Sequence, residues 1–167
     1  MQVDAGFDLT GRRAIVTGAS AGIGAAIATR LANAGAHVVA VSRSGSAPPG
    51  AQRIQGVAAD LSAEADLERV IADGVAVLGG LDILINNAGM ADFVALDDID
   101  RAHFDAMVGL NLWAPLRLCQ LAHPHLQESG DGAVAMIGSI DAIRPSGGAA
   151  VYGATKAGLM GLSPIHI

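Results

Sequence analysis

The 167 residues carry 10 Lys and Arg against 16 Asp and Glu, a formal charge of −6 with no cationic cluster, which argues against nucleic acid or an anionic membrane surface as partner. A hydrophobic content of 51% with 16% charged residues is ample for a core and argues against disorder, and 3% aromatic residues make that core aliphatic. No apolar run approaches the ~20 residues of a membrane span, no charged-then-apolar signal pattern opens the chain, and the single cysteine, Cys119, allows no internal disulfide, so a reducing cytoplasm is the expected compartment.

In chain order, residues 13–16 predict a first strand that ends at Thr17-Gly18-Ala19-Ser20-Ala21-Gly22-Ile23-Gly24. Beyond it Ile23, Ile27 and Leu31 recur at helical spacing until Asn33-Ala34-Gly35 stops the helix, with Gly35 suited to a left-handed cap. Strand, glycine loop and helix make an anion cradle, because glycines let backbone approach a pyrophosphate and the helix N-terminus meets its charge. The spacing is G-x-x-x-G-x-G rather than G-x-G-x-x-G, since Ile27 stands at the third site of the latter. Residues 37–42 predict a second strand, parallel to the first across the helix. It ends in Ser42-Arg43-Ser44, where an NAD-binding domain would place an acid for the ribose 2′-hydroxyl. The missing acid and the guanidinium of Arg43 favour NADP over NAD.

Residues 44–50, with Pro48-Pro49-Gly50, predict a loop, and residues 54–58 a third strand that ends near Asp60-Leu61. Ser62 is placed to cap a helix whose apolar face is Leu67, Val70, Ile71 and Val75, closing at Leu78-Gly79-Gly80. Residues 81–85 predict a fourth strand that runs into Asn86-Asn87-Ala88-Gly89, whose amides can cross-link neighbouring strands or line a ribose pocket. A long helix is expected over residues 97–123, with Phe104, Val108 and Leu112 inward and a bend at Pro115. Asn111 within it is either a surface residue or a buried one that needs partners. Residues 132–137 predict a fifth strand, ending at Gly138-Ser139, and a glycine-rich loop leads to the last helix. Five alternations of strand and helix give a doubly wound parallel sheet, Rossmann-like, in strand order 3-2-1-4-5 and three layers α/β/α. His37, His103, His123, His125 and His166 show no ligand spacing, so no metal centre is expected.

That last helix carries Tyr152 and Lys156, the only tyrosine and the only lysine of the chain, one turn apart and on one face. Such a pair also occurs on ordinary helix surfaces. As chemistry, an ammonium beside a phenol favours phenolate and brings a weak base towards neutral working pH. The other cations are all Arg, whereas Lys156 offers a compact, rotatable donor.

Taken together, Thr17 to Gly24 (TGxxxGxG), Asp60, Asn86 to Gly89 (NNAG), Asn111, Ser139 thirteen residues before the tyrosine, and Tyr152 to Lys156 (YxxxK) closely resemble the short-chain dehydrogenase/reductase family. The match covers almost the whole chain in order. The resemblance implies an NADP(H)-dependent oxidoreductase acting on a carbonyl or secondary alcohol, built as one dinucleotide-binding and catalytic domain over residues 1–167. Tyr152 would exchange the proton, Lys156 would lower its pKa and hold the nicotinamide ribose, Ser139 would bond the reacting oxygen, and Asn111 would hold a relay water. Gly18, Ser20, Gly22, Ile23 and Gly24 would cradle the cofactor, Asp60 and Leu61 would meet the adenine, and Asn87, Ala88 and Gly89 the adenosine side.

The ending departs from that pattern. Family members continue with two more strands, another helix and a substrate-covering loop, whereas this sequence stops at Leu162-Ser163-Pro164-Ile165-His166-Ile167. Pro164 is expected to break the last helix, and residues 163–167 are expected to be non-native, the end of a truncated reading of a longer gene whose full-length product forms homodimers or homotetramers. The alternative is a catalytically inactive dinucleotide-binding fragment, or a scaffold protein on the same fold.

Overall fold

The computed structural model describes residues 8–49 and 52–162. Five parallel strands, β1 (Arg13–Thr17), β2 (His37–Ser42), β3 (Ile54–Ala58), β4 (Ile83–Asn86) and β5 (Ala133–Met136), form one sheet in the order β3-β2-β1-β4-β5. The expected strand order is therefore observed. Register follows the apolar runs: Ile15 of β1 pairs with Val39 of β2 and Leu84 of β4. Both faces of the central strands are covered, which is why they read as continuous runs rather than alternating ones. On one face Ala14, Val16, Val38 and Ala40 pack with Ala28 and Ala32 of α1 (Gly22–Asn33). On the other, Ile15, Val39 and Leu84 pack with Leu67, Val70 and Ile71 of α2 (Glu64–Leu78) and with Leu118, Ala122 and Leu126 of α4 (Ala114–Ser129).

Small side chains set the spacing on the α1 face. The buried positions of α1 are Gly24, Ala28 and Ala32, one residue on from the predicted isoleucine phase, and Ile23 is 64% exposed. Gly35 has the expected positive φ, 104°. On the other face, Gly74 of α2 lies where an added Cβ would stand 2.6 Å from Ile15 Cδ1.

Two expectations are corrected. Ser62 does not cap α2: the N-cap is Ala63, without a side-chain bond, and Ser62 gives its hydroxyl and its N–H to Asp60 Oδ1 instead, at 2.7 and 3.0 Å. The helix expected over residues 97–123 is a 3-10 turn (Leu96–Asp98), α3 (Arg101–Val108), a π-turn (Gly109–Trp113) and α4. Asp100 caps α3 through His103 N–H, 2.7 Å. The register of that helix also differs, with Met107 and Asn111 buried and Phe104 44% exposed. Pro115 follows the π-turn directly in a continuous helical run, so its missing N–H leaves the Asn111 carbonyl, four residues back, without that partner. Helix α5 (Ala150–Leu162) packs on α3, the π-turn and the 3-10 turn Ile140–Ala142. The expectations for Pro164 and for residues 163–167 lie outside the described residues. Among the described residues, no helix is long and apolar enough to cross a membrane.

Candidate active site

All the singled-out loops stand at the carboxyl ends of the strands. At the end of β1, Gly18 and Gly22 take positive φ values of 65° and 58°, which only glycine adopts at low cost. Gly24 is required by contact rather than by its φ. A Cβ there would stand 2.3 Å from Gly18 O and 2.4 Å from Asn87 Nδ2. The N-cap of α1 is Ala21, which offers no side chain to the first-turn N–H groups. Those groups are left for an anion.

The Asn87 amide is spent on backbone. Its Nδ2 donates to Thr17 O and Gly18 O, at 2.9 and 3.2 Å, so it ties the glycine loop to the end of β4. Thr17 completes the tie: its Oγ1 accepts from the N–H groups of Asn87 and Ala88, both at 3.0 Å, and donates to Ile85 O at 3.3 Å. Asn86 turns inward, its Nδ2 towards the sulfurs of Cys119 and Met136. Of the two uses open to these amides, cross-linking strands is the one observed.

A cleft of about 450 Å³ opens between the glycine loop, the end of β2 and the end of β4. Gly18, Ser20, Arg43, Asp60, Leu61, Ala88 and Gly89 line it, joined by Ser42, Met90 and Leu110. Gly22, Ile23, Gly24 and Asn87 do not line it; the last two shape it from behind. Beside Arg43, the hydroxyls of Ser42, Ser44 and Ser46 form a chain with links of 3.3 and 3.0 Å, a polar cluster that the sequence reading did not single out. The Asp60 carboxyl is held below its ordinary pKa first by the hydrogen bonds from Ser62 and then, more weakly, by the charge of Arg43.

Past the cleft, three predicted residues converge. Asn111 is wholly buried; its Oδ1 accepts from Met90 N–H and its Nδ2 donates to Met90 O, both at 2.8 Å, with Thr155 Oγ1 at 3.2 Å. Lys156 is 5% exposed and donates through Nζ to Ile137 O at 2.8 Å. Burial pushes its pKa down. A Cβ on Gly89 would lie 3.0 Å from Asn111 Oδ1 and 3.6 Å from Lys156 Nζ, so this point admits backbone and little else. The Tyr152 ring centroid is 5.9 Å from Lys156 Nζ, and Phe93 packs on the same ring at 6.0 Å and a tilt of 51°. Phe93 was not foreseen, because nothing in its local sequence marks it.

Ser139 follows β5 and starts the turn Ile140–Ala142, held by Asp141 N–H to its Oγ at 3.1 Å. That turn reaches α5 beside Tyr152, where a Cβ on Gly153 would stand 2.8 Å from Asp141 O. A groove lined by close backbone and a guanidinium, with the glycine loop that opens α1 at its edge, fits a dinucleotide phosphate chain. Among the described residues, no group of three His, Cys, Asp or Glu side chains could hold a metal ion.

Comparison with known proteins agrees. A family profile described as short chain dehydrogenase matches residues 12–164. The chain is 34% identical over 170 residues to dehydrogenase/reductase SDR family member 4 of Homo sapiens, covering 93% of this chain and 59% of that protein. It is 32% identical over 166 residues to the D-beta-hydroxybutyrate dehydrogenase of Cupriavidus necator, covering 94% of this chain and 64% of that one. A short chain dehydrogenase from Burkholderia cenocepacia J2315, solved in complex with NADP, superposes with a TM-score of 0.85 at 36% identity, over 92% of this chain and 66% of that one. The chain thus spans 59% to 66% of the length of these three relatives.

Proposed function

The chain belongs to the short-chain dehydrogenase family, and we propose that it is the cofactor-binding and catalytic part of an NADP(H)-dependent oxidoreductase acting on a carbonyl or secondary alcohol. The observation that carries this reading is the convergence of Gly89, Asn111 and Lys156 next to the Tyr152 ring, at the end of a groove shaped for a dinucleotide. Residues 1–167 then act as one unit, in a reducing cytoplasm, where the buried free thiol of Cys119 is stable. The full-length protein forms a homodimer or homotetramer in the same reading.

Bound in the groove, the nicotinamide supplies or takes up the hydride. The protein does the rest. Tyr152 passes a proton to the substrate oxygen or takes one from it, and Ser139 holds that oxygen by a hydrogen bond. Lys156, kept dry and fixed by Ile137 O, favours the phenolate and holds the ribose. Because the Asn111 side chain is spent on Met90, a relay water would rest on the Asn111 carbonyl, which Pro115, four residues on, cannot engage. Arg43, with the serine hydroxyls beside it, meets the 2′-phosphate that distinguishes NADP.

Titration of the purified chain with NADPH and NADH, read by nicotinamide fluorescence, tests the cofactor assignment. NADPH should bind more tightly, and Arg43→Ala should weaken it about tenfold or more while sparing NADH, as befits a lost charge-assisted bond. Equal affinities in the parent chain would remove NADP from the proposal. Tyr152→Phe should nearly abolish turnover on carbonyl substrates and leave cofactor binding intact; near-normal turnover would defeat the assignment of Tyr152. Binding without turnover in the parent chain would support the inactive dinucleotide-binding alternative.

A further inference from the structure

We propose that Phe93 is a specificity-determining residue: it sets an apolar wall beside Tyr152 and selects substrates whose reacting carbon carries an uncharged apolar group, an aryl group foremost, over those that carry a carboxylate. The inference rests on the role proposed above for Tyr152. Phe93 has no part in the reaction scheme. It is 55% exposed, yet its ring meets the Tyr152 ring at a centroid distance of 6.0 Å and a tilt of 51°, a favourable aromatic pairing. An exposed apolar side chain on its own needs no explanation. One held against the proposed acid/base does.

Residues 87–95 form no regular structure, but they are tied down on either side of Phe93. Both backbone groups of Met90 bond the Asn111 amide at 2.8 Å. Asp92 Oδ2 lies 3.4 Å from Nδ1 of His103, a largely buried imidazole on α3, and Val94 N–H donates to Gly148 O at 3.1 Å. Phe93 is therefore a fixed wall and not a loose flap. The turn that begins at Ser139 and packs against α5 is apolar on its outside as well, with Ile140 and Ile143 69% and 71% exposed. Of the carboxylates in these two stretches, Asp92 faces His103 and Asp141 accepts from Ser146 N–H at 2.8 Å. The one cation between residues 139 and 148 is the exposed Arg144, the rival anchor for a keto or hydroxy acid. With the reacting oxygen at Tyr152, one substituent of the reacting carbon lies beside Phe93. A flat apolar group there leaves water together with the ring. A carboxylate in the same place loses hydration and gains no partner from Phe93.

The test needs no turnover. Because Tyr152 is the only tyrosine, isotope-labelled tyrosine gives a single set of ring signals in NMR, and these report on the site. The chain saturated with NADP+ is titrated with acetophenone and with pyruvate, neither of which the oxidised cofactor can reduce. Acetophenone should move the Tyr152 signals saturably and bind at least about fivefold more tightly than pyruvate, the scale of one aromatic contact. Phe93→Ala, at a half-exposed position, should keep the thermal midpoint of the parent, weaken acetophenone about fivefold and leave pyruvate within about twofold. Arg144→Ala should leave acetophenone unchanged. Pyruvate as tight as acetophenone, equal losses for both ligands in Phe93→Ala, a loss of acetophenone in Arg144→Ala as large as in Phe93→Ala, or signals that neither ligand moves would each overturn the proposal. A chain that fails to bind NADP+ sinks the oxidoreductase reading instead, and the same titrations without cofactor then decide the role of Phe93 by the same ratios.

Discussion

At the scale of single residues, buried polar groups carry the site, and each has an accounting that predicts its loss. Asn111 answers both the N–H and the C=O of Met90. Asn111→Ala strands those two backbone groups in a dry place, at a cost of about 2–4 kcal/mol, to be read from urea unfolding. A cost below about 1 kcal/mol would mean that water or a shifted loop replaces the amide. Lys156 presents the opposite case, a charge whose burial lowers its pKa and so favours its neutral form. Between its folded and unfolded pKa values the unfolded chain binds more protons, so stability rises with pH across that alkaline window. Lys156→Met should therefore fold as well as the parent, or up to about 1 kcal/mol better, and should lose turnover. Marked destabilisation would show that the bond to Ile137 O outweighs the desolvation. Asn111 and Lys156 were both legible as residues in the sequence. Their partners were not, since Met90 and Ile137 contribute backbone atoms, and backbone partners leave no mark in side-chain pattern.

At the scale of elements, the strands were readable because two covered faces demand unbroken apolar runs, and all five lie within two residues of expectation at either end. Helices were less so. The segment from Arg101 to Ser129 carries apolar residues in two phases, because a π-turn shifts the register midway, and a single helical period fitted across it puts Phe104 inside where the structure puts Met107. Pro124, inside α4, leaves the helix unbroken to Ser129, again against simple propensity. The glycine loop was legible as a cradle, but the reason for Gly24 was not, since it depends on Asn87, more than sixty residues away. Gly24→Ala should force the loop from β4 and weaken NADPH binding at least about tenfold, with a cost in stability of about 1–3 kcal/mol. Parent-like cofactor affinity in that variant would mean that α1 can back away from the sheet without harm to the groove.

At the scale of the whole molecule, the two ends of the sheet differ in chemistry. The carboxyl ends hold the groove, while at the amino ends Asp82 accepts from Arg13 Nε and N–H, both at 2.8 Å, and from Ser129 Oγ at 2.6 Å, joining β1, α4 and the lead into β4. The Arg13 guanidinium holds the Asp82 carboxyl far below the usual carboxylate range. A carboxylate lowered in this way adds stability that is complete above its unfolded value, near 4, and drains away as pH falls towards its folded value. Thermal melts of Asp82→Asn should show lower stability than the parent at pH 7 and a flatter decline below pH ~4, where the parent loses its advantage. Parallel acid limbs would assign acid sensitivity to other carboxylates.

For anyone redesigning the cofactor groove, the serine chain beside Arg43 is the freest ground. Ser44 and Ser46 are exposed, they bond each other and their own turn, and none of the ties between β1, β4 and α4 passes through them. Thr17, Gly18, Gly24 and Asn87 offer no such liberty: a hydroxyl, two bare backbone positions and an amide share the same few ångströms, so an exchange at one is viable only with compensating exchanges at the others. A library that scrambles residues 43, 44 and 46 and keeps Gly45, whose φ of 67° and contact with Ala58 admit no side chain, would retain mostly folded members, whereas one that scrambles that quartet singly would be nearly all losses.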